Sequence, residues 1–237
     1  METEKRARTR AVANVGVATA AAAAASGAAI AVAATPSGGA TASGGATPVH
    51  DSSNGRAVKV KVRAERDVLA NTDDRVRGSL SEHLAHETVI VEAHRRHGWQ
   101  QVAQTHTGRR GRFSATWAPN DVGRYAVRAR LADGTATGKA KGKVTAYKES
   151  NVSWYGPGFY GHSTACGGTL SRDTLGVANK TLPCGTRVAL RYNGRSVTVP
   201  VIDRGPYVSG REYDLTEATR DRIQAPSTGT IWTAPLP

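Results

Sequence analysis

The chain has 237 residues, 39% hydrophobic and 5% aromatic, with 32 Lys and Arg against 19 Asp and Glu, a formal net charge of +13 at pH 7. So basic a chain adheres to polyanions. Its cations lack interleaved aromatics, which argues against nucleic acid as a partner, and two cysteines alone do not make a zinc site.

In chain order, Lys5, Arg6, Arg8 and Arg10 precede an uncharged Ala/Val run from Ala11 to Ala34. That is the outline of an export signal over residues 1–34, and it predicts a secreted, cell-wall or extracellular protein. The run is long enough to span a bilayer, so an anchor is the alternative. Ala is only weakly apolar, however, and Ala31-Val32-Ala33 offers a small-x-small cleavage site, so no stable membrane anchor is expected after cleavage. Residues 35–54, rich in Gly, Ser, Thr and Ala, read as a disordered linker.

Between residues 55 and 147 seven short runs alternate: AVKVKVRA, RVRGSL, ETVIVEAH, GWQQVAQTH, GRFSATWA, RYAVRARL and TGKAKGKVTA. Turn residues separate them, as at Asn71 to Asp74 and Pro119 to Asp121. The pattern predicts an antiparallel β-sandwich of immunoglobulin-like type with Trp99, Phe113, Trp117 and Tyr125 in its core. The GRF strand before a GxYxxR strand also resembles bacterial Ig-like modules fitted to wall enzymes. Five histidines fall here (His83, His86, His94, His97, His106) with two HxxH spacings. On a strand, residues three apart face opposite sides, so they read as solvated histidines, not as metal ligands.

The remaining residues, 148–237, predict a small β-barrel with one short helix. Gly156 to Gly161 match G-x-G-x-x-G, but Pro157 and the aromatics break the helix that a dinucleotide site needs, so no cofactor is expected. A glycine-aromatic loop suits a sugar groove instead, with Trp154, Tyr155, Phe159 and Tyr160 offering flat faces, and His162 and Thr164 within reach of a substrate. Asn193-Gly194 signals a hairpin. Asp214 and Glu217 have capping-box spacing ahead of a helix with Leu215, Ala218, Arg222 and Ile223 on one face. Cys166 and Cys184, in an exported chain, predict one disulfide worth roughly 3 kcal/mol; two buried thiols are the alternative.

The segment VTVPVIDRGPYV is the most informative. Side-chain alternation puts Val197, Val199, Val201 and Asp203 on one face and Thr198, Ile202 and Arg204 on the other, so Asp203 ends an apolar stripe. A carboxyl so placed is partly desolvated, which suits a group that must both donate and accept a proton. Its rival role is to cap the turn before Gly205-Pro206. Arg204 and Arg211 are candidates for binding acidic groups.

WYGPGF, TACG, KTLPCGT and VIDRGPYV, in this order over about the last ninety residues, resemble the RlpA-like (rare lipoprotein A) lytic transglycosylase family. The resemblance implies a six-stranded double-psi β-barrel acting on peptidoglycan glycan strands, so that the whole chain is all-β, with an Ig-like sandwich first. Asp203 matches the family's DRGP aspartate and is the implied acid/base of a cleavage that leaves a 1,6-anhydro-muramyl end. Asp214 matches a second aspartate of such barrels, lining the groove. The lipid anchor of some relatives is excluded, because no cysteine lies near the cleavage site. Two positions depart from the pattern: Gly168 stands where many relatives have glutamate, and Asn179 where they have histidine. Asn179 can hydrogen-bond a sugar or orient Asp203 but cannot transfer a proton. These departures leave open a non-catalytic, expansin-like wall-loosening role. Anionic wall polymers are a further candidate partner.

Overall fold

Alternating burial along short strands builds the first module. The computed structural model describes residues 57–95 and 98–236, all within the second of two units into which the chain divides, Ser52–Pro237. The predicted leader and linker, and His97, lie outside the described residues. The first strands are β1 (Val60–Arg63), β2 (Asp67–Leu69), β3 (Asp74–Leu80), β4 (Thr88–Arg95), β5 (Gly98–His106), β6 (Arg112–Trp117), β7 (Gly123–Leu131) and β8 (Thr137–Tyr155). The seven predicted runs are all strands; β2, three residues long, shows no alternation from which to read it.

β1, β3 and β6 pair antiparallel, and β5, β4, β7 and β8 form the second sheet, with β2 parallel to β8. Between them lie Val62, Val76, Leu80, Val89, Val91, Phe113, Ala115, Trp117, Tyr125 and Val127. β6 alternates strictly, with Phe113, Ala115 and Trp117 inward, because only one face of its sheet meets the core.

Trp99 departs from the expectation. It is half-buried and outside the core, with the Arg128 guanidinium 4.2 Å from its ring centroid and His94 edge-on at 5.2 Å. The cause is a bulge: Val91 pairs with Ala103 but Glu92 with Gln101, so one extra residue of β5 inverts its alternation and turns Trp99 outward.

The second module uses the last residues of β8 with β9 (Val177–Ala178), β10 (Arg187–Tyr192), β11 (Arg195–Asp203), β12 (Tyr213–Thr216) and β13 (Thr228–Leu236), plus helix α1 (Glu217–Ile223). The pairings run β8 to β12, β9, β11, β10, β13 and back to β8, which closes a six-stranded barrel. Closure removes the edges on which strands aggregate. Val152, Val177, Val188, Leu190, Val199, Val201, Tyr213, Leu215, Ile223 and Ile231 fill it. The predicted hairpin joins β10 to β11, with both Asn193 (φ 43°) and Gly194 (φ 81°) in the left-handed region that a two-residue turn of type I′ requires.

The helix cap differs from the sequence expectation. Thr216, not Asp214, caps α1, accepting a hydrogen bond from the Thr219 N–H. Residues Tyr213–Thr216 pair with β8 up to Thr216 opposite Tyr155, so the chain cannot turn helical before Glu217, and Asp214 stays in a strand.

The modules meet at Tyr147, which with Ala189 and Ala234 forms a separate buried cluster packed by Leu69, Val122, Trp232 and Leu236. Its hydroxyl donates to Asp67 (3.0 Å), and Asp67 pairs with Arg191 of β10 (3.1 Å). Burial first, and the Asp67 charge next, push the Tyr147 phenol well above its ordinary pKa, so it remains a donor. Tyr147→Ala is expected to cost about 3–5 kcal/mol and Tyr147→Phe about 1 kcal/mol in denaturant unfolding.

A second prediction concerns Glu92, buried under Arg128 (2.5 Å) and Arg130 (3.2 Å). Burial alone would raise its pKa, but hydrogen bonds from the two guanidinium groups outweigh it and hold the carboxyl below the usual range. The unfolded chain therefore takes up this proton before the folded one does, and the stability Glu92 supplies is present above the ordinary glutamate pKa and lost as pH falls through the lower folded value. Glu92→Gln should cost about 1–3 kcal/mol near neutrality. Melting curves over an acid titration should also show a flatter pH dependence in the variant.

Candidate active site

Asp203 reaches its position through an irregularity in β11. Val201 pairs with Val177 of β9, but the next β9 residue, Ala178, pairs with Asp203, so Ile202 is extra. Val199 and Val201 point into the barrel, and uninterrupted alternation would send Asp203 after them. The extra residue instead places Asp203 beside Ala178, on the face opposite the core. Ile202 packs onto Gly176, where a Cβ would meet its side chain at 2.5 Å; only glycine leaves room.

On that outer face the register forms a row across four strands. Asp203 of β11 pairs with Ala178 of β9, Ala178 with Asp214 of β12, and Asp214 with Ser153 of β8. Their sequence neighbours Val177, Leu215 and Val152 fill the core. Adjacent strands lie about 4.8 Å apart, so the two aspartates are roughly 10 Å apart at the backbone with one methyl group between them.

Asp203 is half-buried, and its Oδ1 accepts the N–H of Ala165 (2.9 Å) and of Arg204 (2.8 Å). It forms no ion pair among the described residues. Two fixed donors on one oxygen orient the carboxyl group. Asp214 accepts from the Ser153 hydroxyl, which itself accepts from Arg211 (3.0 Å).

Tyr155, two residues beyond Ser153, shares its face. Its hydroxyl is buried and meets no hydrogen-bond partner among the described residues. Burial most, then the charges of Asp203 and Asp214, push its pKa well above the ordinary phenol, so it holds its proton beside both carboxylates. A buried donor without a partner is costly, and this one is shielded from solvent beside the two carboxylates.

The other candidates divide. Phe159 is 55% exposed and stands edge-on to Tyr155 at 6.2 Å; His162 is also exposed. Trp154 is covered by the Arg220 guanidinium, 3.8 Å from its ring centroid, and packs against the core. The Tyr160 hydroxyl donates to Glu217, an approach that Gly156 permits because a Cβ there would sit 2.6 Å from that hydroxyl. Thr164 donates to the Gly167 carbonyl within a tight turn.

Asn179 is buried, its Nδ2 donating to the Glu212 carbonyl and its Oδ1 accepting from Thr181 and Leu182 N–H groups. Arg204 turns from Asp203 to the carbonyls of Asn179 and Leu182 and to Cys184 Sγ, all at 3.0 Å. These five side chains are thus spent on building the site. Gly168, exposed at φ 85°, lies in the same turn as Thr164.

The Cys166–Cys184 disulfide forms as expected, with Cα atoms 5.5 Å apart. It ties the loop after β8 to the turn before β10, while the Cys166 N–H bonds the Ile202 carbonyl (3.1 Å). Four large apolar side chains are exposed among the described residues: Phe159, Leu175, Tyr207 and Val208. All lie in the two loops that meet at Asp203, before β9 and after β11. Tyr207, 84% exposed, and Ser153 were not singled out in the sequence reading. Proximity to the DRGP aspartate signals the first; nothing local signals the second, which pairs with Asp214 at long range.

Residues 147–233 match the lytic transglycolase family model. The chain is 41% identical over 92 residues to the probable endolytic peptidoglycan transglycosylase RlpA of Synechocystis, covering 38% of this chain and 29% of that protein. It is 45% identical over 81 residues to the endolytic peptidoglycan transglycosylase RlpA of Campylobacter jejuni, covering 33% and 30%. Among solved structures, a Streptomyces papain inhibitor aligns at 26% identity and a TM-score of 0.31, over 38% of this chain and 92% of that one. The chain spans about a third of the length of the curated relatives it matches. With the closed six-stranded ring and the DRGP aspartate on its outer face, residues 147–233 are an RlpA-like double-psi β-barrel domain.

Proposed function

We propose that this chain is a secreted cell-wall protein that cleaves peptidoglycan glycan strands by lytic transglycosylation, with Asp203 as acid/base. The observation that carries this reading is the Asp203 carboxyl: anchored through Oδ1 by two backbone N–H groups, free of ion pairs among the described residues, and flanked by loops that expose Phe159 and Tyr207. The relatives named endolytic peptidoglycan transglycosylases supply the substrate class. Secretion accords with the basic, then Ala/Val-rich leader pattern and with a disulfide, which persists in oxidising compartments.

In this reaction Asp203 gives its proton to the glycosidic oxygen as the bond to the muramyl anomeric carbon breaks. The muramyl 6-hydroxyl then closes onto that carbon and returns its proton to Asp203. One carboxyl serves both steps, no water is consumed, and a 1,6-anhydro end results. Phe159 and Tyr207 stack on sugar faces.

A second reading is a non-catalytic, expansin-like wall binder. It is favoured by one observation: neither Gly168 nor the backbone-bound Asn179 supplies a proton-transfer group. Mass spectrometry of products from purified peptidoglycan separates the two. Lytic activity yields 1,6-anhydro-muropeptides, lost by about a hundredfold or more in Asp203→Asn; wall binding without any anhydro product would leave only the second reading.

Tyr155→Phe supplies a further test. Because that hydroxyl lies beside Asp203 and meets no hydrogen-bond partner among the described residues, its removal should leave the melting temperature equal or higher while lowering turnover by about tenfold. A stability loss with unchanged turnover would assign Tyr155 to structure alone.

A further inference from the structure

The outer face of the β1-β3-β6 sheet is charged far beyond what folding requires. The inward residues Val62, Val76, Leu80, Phe113 and Ala115 are fixed in the core, so the alternate side chains must face out. Those are Lys61, Arg63, Arg75, Arg77 and Arg112, all exposed, around a shallow cavity of about 490 Å³ with Glu65 as its acid. Among the described residues none of the five cations has a carboxylate within ion-pairing distance.

The register sharpens the observation. Arg63 and Arg77 are direct antiparallel partners, and Arg75 follows on the same face of β3. Like charges directly opposite one another destabilise a sheet. Ser79 stands between Lys61 and Arg112 as the partner of both, adding a hydroxyl to the row. The arrangement stores repulsion that a multivalent anion would relieve.

We propose that this face binds a linear phosphate-bearing polymer, of the polyol-phosphate or sugar-phosphate class. Guanidinium groups match phosphate oxygens in paired hydrogen bonds. Five cations spread over three strands exceed what one small anion neutralises, so the ligand carries repeated charge. The cavity has no aromatic lining on which bases would stack, which disfavours single-stranded nucleic acid. It has no exposed apolar side chain to enter a bilayer, which disfavours a lipid surface. The polymer would hold the chain at an anionic wall independently of Asp203.

The test compares charge reversals of equal size in the full chain. Arg63→Glu with Arg77→Glu should weaken binding to poly(glycerol phosphate) about tenfold or more and lower the salt slope by about two. Lys143→Glu with Arg195→Glu, which changes net charge equally on other faces, should do much less. Equal loss in both would overturn the site and leave only non-specific adhesion. Equal affinity for poly-L-glutamate would overturn the phosphate assignment, as would binding confined to phosphatidylglycerol vesicles. Arg77→Thr should raise the melting temperature at low salt without polymer and lessen the rise that polymer gives the native chain. An unchanged rise in that variant would also sink the proposal.

Discussion

One extra residue, Ile202, decides where the acid stands. A β-strand commits its side chains to two faces, and β11 commits Val199 and Val201 to the barrel interior. A carboxylate sent after them would be buried without water, at a cost that pairing or protonation would have to offset. The extra residue between Val201 and Asp203 reverses that commitment at the last position of the strand. Everything around it accommodates the reversal: Gly176 makes room for Ile202, the Cys166 N–H takes the Ile202 carbonyl, and the Asn179 N–H takes that of Asp203. The chemistry of the turn is in this sense mostly scaffolding, and its product is the direction of a single carboxyl group.

The scaffold also explains why so many polar side chains near Asp203 are occupied. Asn179 and Arg204 both bind backbone of the segment running from Asn179 to Cys184, and the disulfide ties that segment to the loop bearing Ala165. Ala165 in turn donates to Asp203. The chain of contacts from Arg204 through Cys184 and Cys166 to Ala165 thus returns to the carboxyl that precedes Arg204. A ring of constraints this short holds an orientation without requiring a deep pocket.

Much of this was legible in the sequence, and the exceptions share a cause. Strand positions, the Asn193-Gly194 hairpin and the disulfide follow from local signals. The expectations failed at Trp99 and at the facing of Asp203, and each is separated from its strand's core residues by a bulge. A bulge inverts the facing of the side chains on one side of it relative to the other while leaving no compositional trace, because the extra residue is an ordinary Val or Ile. The helix cap was misplaced to Asp214 for a related reason: Thr216 and Asp214 are both good caps in isolation, and only the pairing of β12 with β8 excludes the earlier one. Ser153 was invisible because its partner is 61 residues away.

Strand β8 carries this long-range dependence further. Its residues Thr137 to Tyr147 pair with β7 and with β2, and residues Lys148 to Tyr155 pair with β13 and β12, within one unbroken strand. Ser153 and Tyr155, which face the carboxylates, therefore sit on the same extended backbone as the sandwich residue Val144 and the junction residue Tyr147. A hinge at this point would need that strand to give up ladder hydrogen bonds, and the Tyr147–Asp67–Arg191 contacts cross the same point. The donor side of the site is thus braced by the sandwich, whereas the acid side is braced by the disulfide loop. The two halves are held by separate constraints, and they come together only at the row that runs from Asp203 through Ala178 and Asp214 to Ser153.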